Sequence, residues 1–200
     1  MTTGPSIARR AIAGALLLIT PVATQLVLWP NLADMPWGYL IFGTSQLLGW
    51  GLLLTVCLGI GSAHPGSTSS RAGRAGQRIV LAGCVLQMAF GAVYGISTLA
   101  MGEPLEASFW LFLLGFLTLV VGGVLWGRVL CRDTRTRLAG NGFLAMAGLG
   151  FLAIAVGDNV VHDVTLLAGY VAWVVIGHGA AHGLHAPGER ALPRQATTTT

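Results

Sequence analysis

Six long stretches without a charged residue recur along the chain, and all of the Arg, Asp and Glu residues lie between or outside them. A helix needs about 20 apolar residues, at 1.5 Å each, to cross about 30 Å of hydrocarbon. Segments such as LLLTVCLGIG are apolar on all sides instead of alternating, which favours helices over strands. The pattern therefore predicts an all-α integral membrane protein, a six-transmembrane helix bundle of three hairpins. Its predicted spans are 11–29, 37–61, 79–102, 107–127, 138–157 and 164–184.

Composition agrees with a membrane location. Hydrophobic residues make up 54% and charged residues 9% of the 200 positions, and the mean hydropathy is +0.74. Soluble domains carry about 25% charged residues. We expect one transmembrane domain over residues 1–188 and a disordered cytoplasmic tail over 189–200. The first span follows two arginines like a signal peptide, but no A-x-A cleavage motif follows it, so an uncleaved helix is expected.

Charge is distributed asymmetrically along the predicted topology. All 11 basic residues are Arg, and every one falls before the first span, after the sixth, or in the second and fourth connections. The first, third and fifth connections carry only acids. Because basic residues are retained in the cytoplasm, both termini are predicted to be cytoplasmic in a multi-pass protein of the cell membrane.

The same composition excludes several classes of protein. The chain has no Lys, so it lacks the lysine of a Walker P-loop and of a Schiff-base site. No segment outside the spans is long enough to fold around a core of its own. Arg clusters near the inner leaflet are explained by anionic lipid, so membrane lipids are expected partners and nucleic acid is not. Other membrane subunits or a second copy of the chain stay open as partners.

Small residues and cysteines suggest how the spans associate. Three pairs of Gly lie four residues apart: Gly91 with Gly95, Gly123 with Gly127, and Gly179 with Gly183. Such pairs let helix backbones approach closely, and packing within one subunit is favoured over oligomerisation. The three Cys residues face the reducing side and lack the spacing of a zinc site, so a disulfide framework is not expected. Residues 62–78, which are small and polar, are predicted to form a flexible loop.

Three histidines near the end of the sixth span form one candidate site. His178, His182 and His185 are separated by four and three residues, which places them on one stripe of a helix. Neutral imidazoles in this arrangement can bind a transition metal, with His64 as a further ligand. Cationic histidines at a helix C-terminus also complement its dipole, and this structural role is favoured. No cofactor is identified from the sequence.

Acidic residues concentrate at the opposite end of the predicted bundle. A carboxyl group there could donate a proton or bind a cation if its pKa were raised, and His162 could pair with Asp158 four residues earlier. The competing interpretation is that these acids only cap helices or occupy exposed turns. The candidate catalytic residues are Asp158, His162, Glu103, Glu106 and Asp34, with Asp163 close to them.

Polar side chains inside the spans form a third candidate set. Amides in hydrocarbon need partners, so they are expected to face the bundle interior. They either line a substrate path or tie one helix to another, and the second role is the more common. The candidate substrate-binding residues are Gln25, Gln46, Gln87 and Tyr94.

Three functions agree with these features. The first is a small-molecule transport or permeation component without its own nucleotide site. The second is a membrane-embedded enzyme that acts on a lipid or isoprenoid substrate by acid–base chemistry. The third is an accessory packing subunit of a membrane complex. The sequence favours the first and leaves open whether the protein is an enzyme.

The topology can be tested at Cys131, in the fourth connection. We expect a membrane-impermeant thiol reagent to label Cys131 only after the cytoplasmic face has been made accessible, because this connection carries four of the Arg residues. Labelling is read by mass shift in intact and in opened cells. Modification of Cys131 in intact cells would reverse the predicted orientation.

Overall fold

A computed structural model describes residues 4–28, 36–156 and 160–185 and shows six long α-helices in them. These ranges contain no β-strand, and all six helices are long and apolar enough to cross a membrane. The predicted all-α, six-helix membrane fold is therefore confirmed. The helices are α1 (Gly4–Leu28), α2 (Pro36–Ala63), α3 (Arg71–Met101), α4 (Glu106–Leu130), α5 (Arg137–Val156) and α6 (Val160–His185), with a 3-10 turn at Pro65–Thr68.

The connection between α2 and α3 is shorter than predicted. Helix α3 begins at Arg71, so much of the predicted flexible loop over 62–78 is helical, and that prediction is wrong. The hydroxyl of Ser70 caps the helix by accepting a hydrogen bond from the Gly73 amide at 3.0 Å. Gly76 in the next turn lies against the backbone of Trp126 on α4. Capping and tertiary packing thus extend α3 beyond the apolar stretch that marks its span.

The helices form a closed ring in sequence order. Each helix packs against its neighbours along the chain, and α6 returns to pack against α1. Because the connections are short, alternate connections lie at the same end of the ring. We call the end with the α2–α3 and α4–α5 connections the arginine end, and the end with the α3–α4 connection and the start of α6 the acidic end.

Glycine lies at the contacts between neighbouring helices. Gly91 on α3 faces the carbonyl of Gly43 on α2, and Gly127 on α4 faces that of Gly140 on α5. Gly179 on α6 lies against the backbone of α5 at Ala139. Members of all three predicted Gly pairs therefore pack helices of the same chain, as expected.

Aromatic side chains close the centre of the ring towards the arginine end. Trp50 on α2 contacts Trp173 on α6, with ring centroids 6.0 Å apart. Trp173 contacts Phe143 on α5 at 5.6 Å, and Phe143 contacts Trp126 on α4 at 5.0 Å. All four side chains are at most 2% exposed. We call this group the aromatic plug.

The α2–α3 contact predicts a sharp effect of a single methyl group. A Cβ at position 43 would lie 2.6 Å from the carbonyl oxygen of Gly91, so Gly43→Ala must force the two backbones apart. We expect this variant to lose about 1–3 kcal/mol of stability, the usual cost of overpacking. Thermal unfolding of the purified protein in detergent measures the loss.

The matched control is Gly148→Ala on α5, where a Cβ meets nothing within 4 Å. Its unfolding midpoint should stay the same or rise slightly, because Ala favours helix. Equal midpoints for the two variants would contradict close packing of α2 on α3.

Candidate functional site

A cavity of about 410 Å³ lies inside the ring at the acidic end. Its walls come from α1, α2, α3, α4 and α6 and from the α3–α4 connection. Binding sites for small molecules have volumes of about 300–1,000 Å³ and mostly apolar walls with a few polar groups. This acidic-end cavity has those properties. Its polar lining residues are Gln46, Tyr94, Glu106, Ser108, His162, Asp163 and Tyr170.

Aromatic rings form much of its wall. Tyr94 on α3 lies with its ring centroid 5.2 Å from that of Phe42 on α2 and 5.6 Å from that of Phe90. Phe90 in turn contacts Phe112 on α4 at 5.3 Å. Tilted ring contacts of this kind are favourable and restrict side-chain rotation. Three helices thus present one continuous aromatic surface to the cavity.

The inner end of the cavity adjoins the aromatic plug. Tyr170 on α6 lines the cavity and contacts Trp50 with ring centroids 6.2 Å apart. Gln46, which is 2% exposed, accepts a hydrogen bond from the Trp50 indole N–H at 2.9 Å. A residue of the cavity wall, Gln46, is therefore hydrogen-bonded to Trp50 of the aromatic plug. The aromatic plug therefore forms the floor of the cavity for a molecule that enters from the acidic end.

His162 sits in the first turn of α6 with a defined ring orientation. Its Nδ1 lies 2.8 Å from the carbonyl oxygen of Ala153 on α5. A carbonyl can only accept, so Nδ1 carries the hydrogen, and a neutral ring then has its lone pair on Nε2. His162 is half-buried and lines the cavity. The contact with Ala153 therefore fixes the orientation of the His162 ring at the cavity wall.

Two carboxylates border the same cavity from different helices. Glu106 lies in the first turn of α4 and Asp163 in the first turn of α6. The partial positive charge of a helix N-terminus stabilises a carboxylate there. Glu106 Oε1 also accepts a hydrogen bond from the Trp110 indole at 3.4 Å. The structural role proposed for these acids and a binding role are therefore compatible.

The α3–α4 connection positions Glu106 through a tight turn. Gly102 ends α3 with φ of 79°, a left-handed conformation that suits Gly. Ser97 Oγ then accepts a hydrogen bond from the Leu105 amide at 3.2 Å, and Ser108 donates to the Leu105 carbonyl at 2.6 Å. These bonds hold the start of α4 against the end of α3.

The acidic residues predicted from the sequence take different places. Glu106 and His162 line the cavity, whereas Glu103, which is exposed like Glu106, is not among the lining residues. Asp34 and Asp158 lie outside the described residues. Asp163, which the sequence places in the same group, also lines the cavity. Three of the residues that the sequence groups at this end, Glu106, His162 and Asp163, thus line the cavity.

The polar residues predicted to bind substrate also lie in different places. Gln46 and Tyr94 line the cavity. Gln87 is buried between α3 and α4 and donates a hydrogen bond to the Phe112 carbonyl at 3.0 Å, so it ties two helices together. Gln25 lies near the end of α1, and its side chain is outside the described part of the structure.

The histidine stripe lies at the arginine end. His178 and His182 are both exposed on α6, with ring centroids 4.3 Å apart, as their spacing predicts. His64 is buried instead, and its Nε2 lies 3.2 Å from the Ala180 carbonyl oxygen. The side chain of His185 is outside the described part. Within residues 4–28, 36–156 and 160–185, no three His, Cys, Asp or Glu side chains are grouped closely enough to hold a metal ion.

The cavity is also lined by residues that the sequence did not single out, among them Phe42, Phe90, Ser108 and Tyr170. A signal was present, since Phe42, Gln46 and Trp50 recur every four residues on α2, as His162, Leu166 and Tyr170 do on α6. Aromatic and polar residues at this spacing mark one face of a helix. In spans that are apolar on all sides, such a stripe is the best indication of the inward face.

The hydrogen bond between Gln46 and Trp50 can be measured by a double-mutant cycle. Gln46→Leu leaves the buried Trp50 N–H without its acceptor, and we expect a loss of about 1–3 kcal/mol in stability. Adding Trp50→Phe removes that N–H, so the double variant should be more stable than the sum of the single losses predicts. Thermal unfolding of all four proteins gives the coupling, and strictly additive losses would contradict it.

The geometry of the site is the basis for assigning a function. Comparison with protein-family models, with curated proteins and with solved structures finds no match to this chain. A function is therefore inferred from the residues that line the acidic-end cavity and from the six apolar helices.

Proposed function

We propose that this multi-pass membrane protein is a small-molecule transport or permeation component that binds its ligand in the acidic-end cavity. The observation that carries the proposal is the cavity itself, which lies inside a closed ring of helices and ends at a floor of packed aromatic side chains. A protein that only packs against other subunits needs no internal space of this size.

The cavity and the aromatic plug together form the arrangement expected for one conformational state of a permeation path. The lining combines apolar walls with polar groups from different helices, so a ligand can be held and oriented. The aromatic plug separates it from the arginine end. Passage would require Trp50 and Trp173 to move apart. With the arginine end in the cytoplasm, the cavity would face the exterior.

An enzyme is the second candidate, because His162 and two acidic residues border the same space. The Ala153 carbonyl fixes the orientation of the His162 ring. Glu106 and Asp163 border the same space. A membrane-embedded enzyme would use these groups for proton transfer to or from a lipid-like substrate.

Filling the cavity tests the proposal. Ser108 is 4% exposed and lines the cavity, so Ser108→Trp would place an indole in its space. We expect native mass spectrometry of the purified protein to show a bound small molecule that is absent from this variant. Leu105→Trp at the cavity edge serves as a second filling variant if the first does not fold.

The matched control is Leu114→Trp, which lies on the same helix, is 55% exposed and is not a lining residue. It should retain the bound molecule. Equal retention in filled and control variants would contradict the proposal. The identified compound, offered again to membranes that contain the protein, crosses unchanged if the protein transports it and changes mass if the protein is an enzyme.

A further inference from the structure

The charges around the cavity indicate which ligands it would accept. The chain has no Lys, and its segments 29–35, 102–106 and 157–163 contain no Arg. Every Arg in the described ranges lies at the arginine end. The acidic-end cavity nevertheless has two carboxylates in its lining, Glu106 and Asp163. A ligand bound there meets two acidic residues at an end of the bundle whose sequence segments supply no Arg or Lys.

The two carboxylates approach the cavity from separate directions. Helices α4 and α6 make no backbone contact with each other over their described lengths, and the cavity is lined by both. Each carboxylate is at the helix turn nearest the acidic end. A positive group between them would reduce the repulsion of the two like charges and would be attracted by both.

The walls favour an organic cation over a metal ion. Six aromatic side chains line the cavity: Phe42, Phe90, Tyr94, Phe109, Phe112 and Tyr170. Their ring faces attract ammonium groups, and such cages recognise quaternary ammonium ligands. A hard metal ion instead requires about six oxygen ligands around it. The apolar rings would also cover the hydrocarbon part of an organic ligand.

From these observations we infer that the acidic-end cavity binds an organic ammonium ion with an apolar body, held by Glu106 and Asp163 and by the surrounding aromatic rings. The inference rests on the proposed function, because it assigns a ligand class to the same site. Gln46 and Ser108 supply further polar contacts without adding charge. The volume of about 410 Å³ suits a small aryl- or alkylammonium compound.

Three probes of similar shape and different charge test the ligand class. They are benzyltrimethylammonium, the neutral phenylmethanesulfonamide and the anionic phenylmethanesulfonate. Binding to the full chain is measured by equilibrium dialysis in dodecyl maltoside, a detergent without charge or ammonium. We expect the cation to bind at least about tenfold more tightly than the neutral probe, a difference of about 1.4 kcal/mol, and the anion to bind most weakly.

Acid-to-amide variants identify the groups responsible. Glu106→Gln and Asp163→Asn should each weaken binding of the cation about tenfold and leave the neutral probe unchanged, since only the charge interaction is lost. The control is Glu103→Gln, which removes the same charge at the same end from a residue that does not line the cavity. It should bind the cation like the unaltered protein.

The possible outcomes distinguish a wrong ligand class from a wrong binding site. Equal affinity for the cation and the neutral probe, with both lost in Ser108→Trp, overturns the ammonium inference and keeps the cavity as a binding site. Failure of all three probes to bind also overturns the inference, while an endogenous adduct that Ser108→Trp removes would still support the proposed function. Binding of the cation that persists in Ser108→Trp overturns both.

Discussion

Close approach of helix backbones is the constraint on which the rest of this structure depends. In a bilayer the lipid tails are as apolar as the helices, so association relies on van der Waals contact. Glycine supplies that contact between neighbouring helices, as Gly43 with Gly91 and Gly127 with Gly140 show. At Gly177 on α6, an added Cβ would overlap the side chain of Ala11 on α1. Small residues therefore also hold together the first and the last helix.

A narrow ring leaves limited space inside, and the distribution of large side chains decides where that space remains open. Trp50, Trp126, Trp173 and Phe143 fill the middle and the arginine side. Towards the acidic end the aromatic rings line the wall and leave the centre empty. Among the described residues, the cavity is thus a part of the ring interior that side chains leave unfilled. Its polarity comes from Gln46 within the membrane and from the first turns of α4 and α6.

The number and nature of the helices could be predicted because bilayer thickness sets the length of an apolar stretch. The early start of α3 could not be predicted, because residues 71–78 are polar enough to form a loop. They are helical because Ser70 caps the helix and because Gly76 packs against Trp126. The residues that line the cavity were predicted in part. Gln46 and Gln87 look equivalent in sequence, yet one faces the cavity and the other bonds to Phe112. Rotation of each helix about its axis makes this difference, and spans that are apolar on all sides encode it weakly.

The sequence order of the ring bears on how the protein is made. Five of the six helix–helix interfaces around the ring join consecutive helices. Each of these five can form as soon as its second helix has entered the membrane. The contact between α1 and α6, and that of Trp50 on α2 with Trp173 on α6, join distant parts of the chain, and both must wait until synthesis reaches α6. Until then the ring is an open arc, and aromatic side chains that later line the cavity are accessible to lipid. Completion of the cavity is thereby coupled to the insertion of α6 into the membrane.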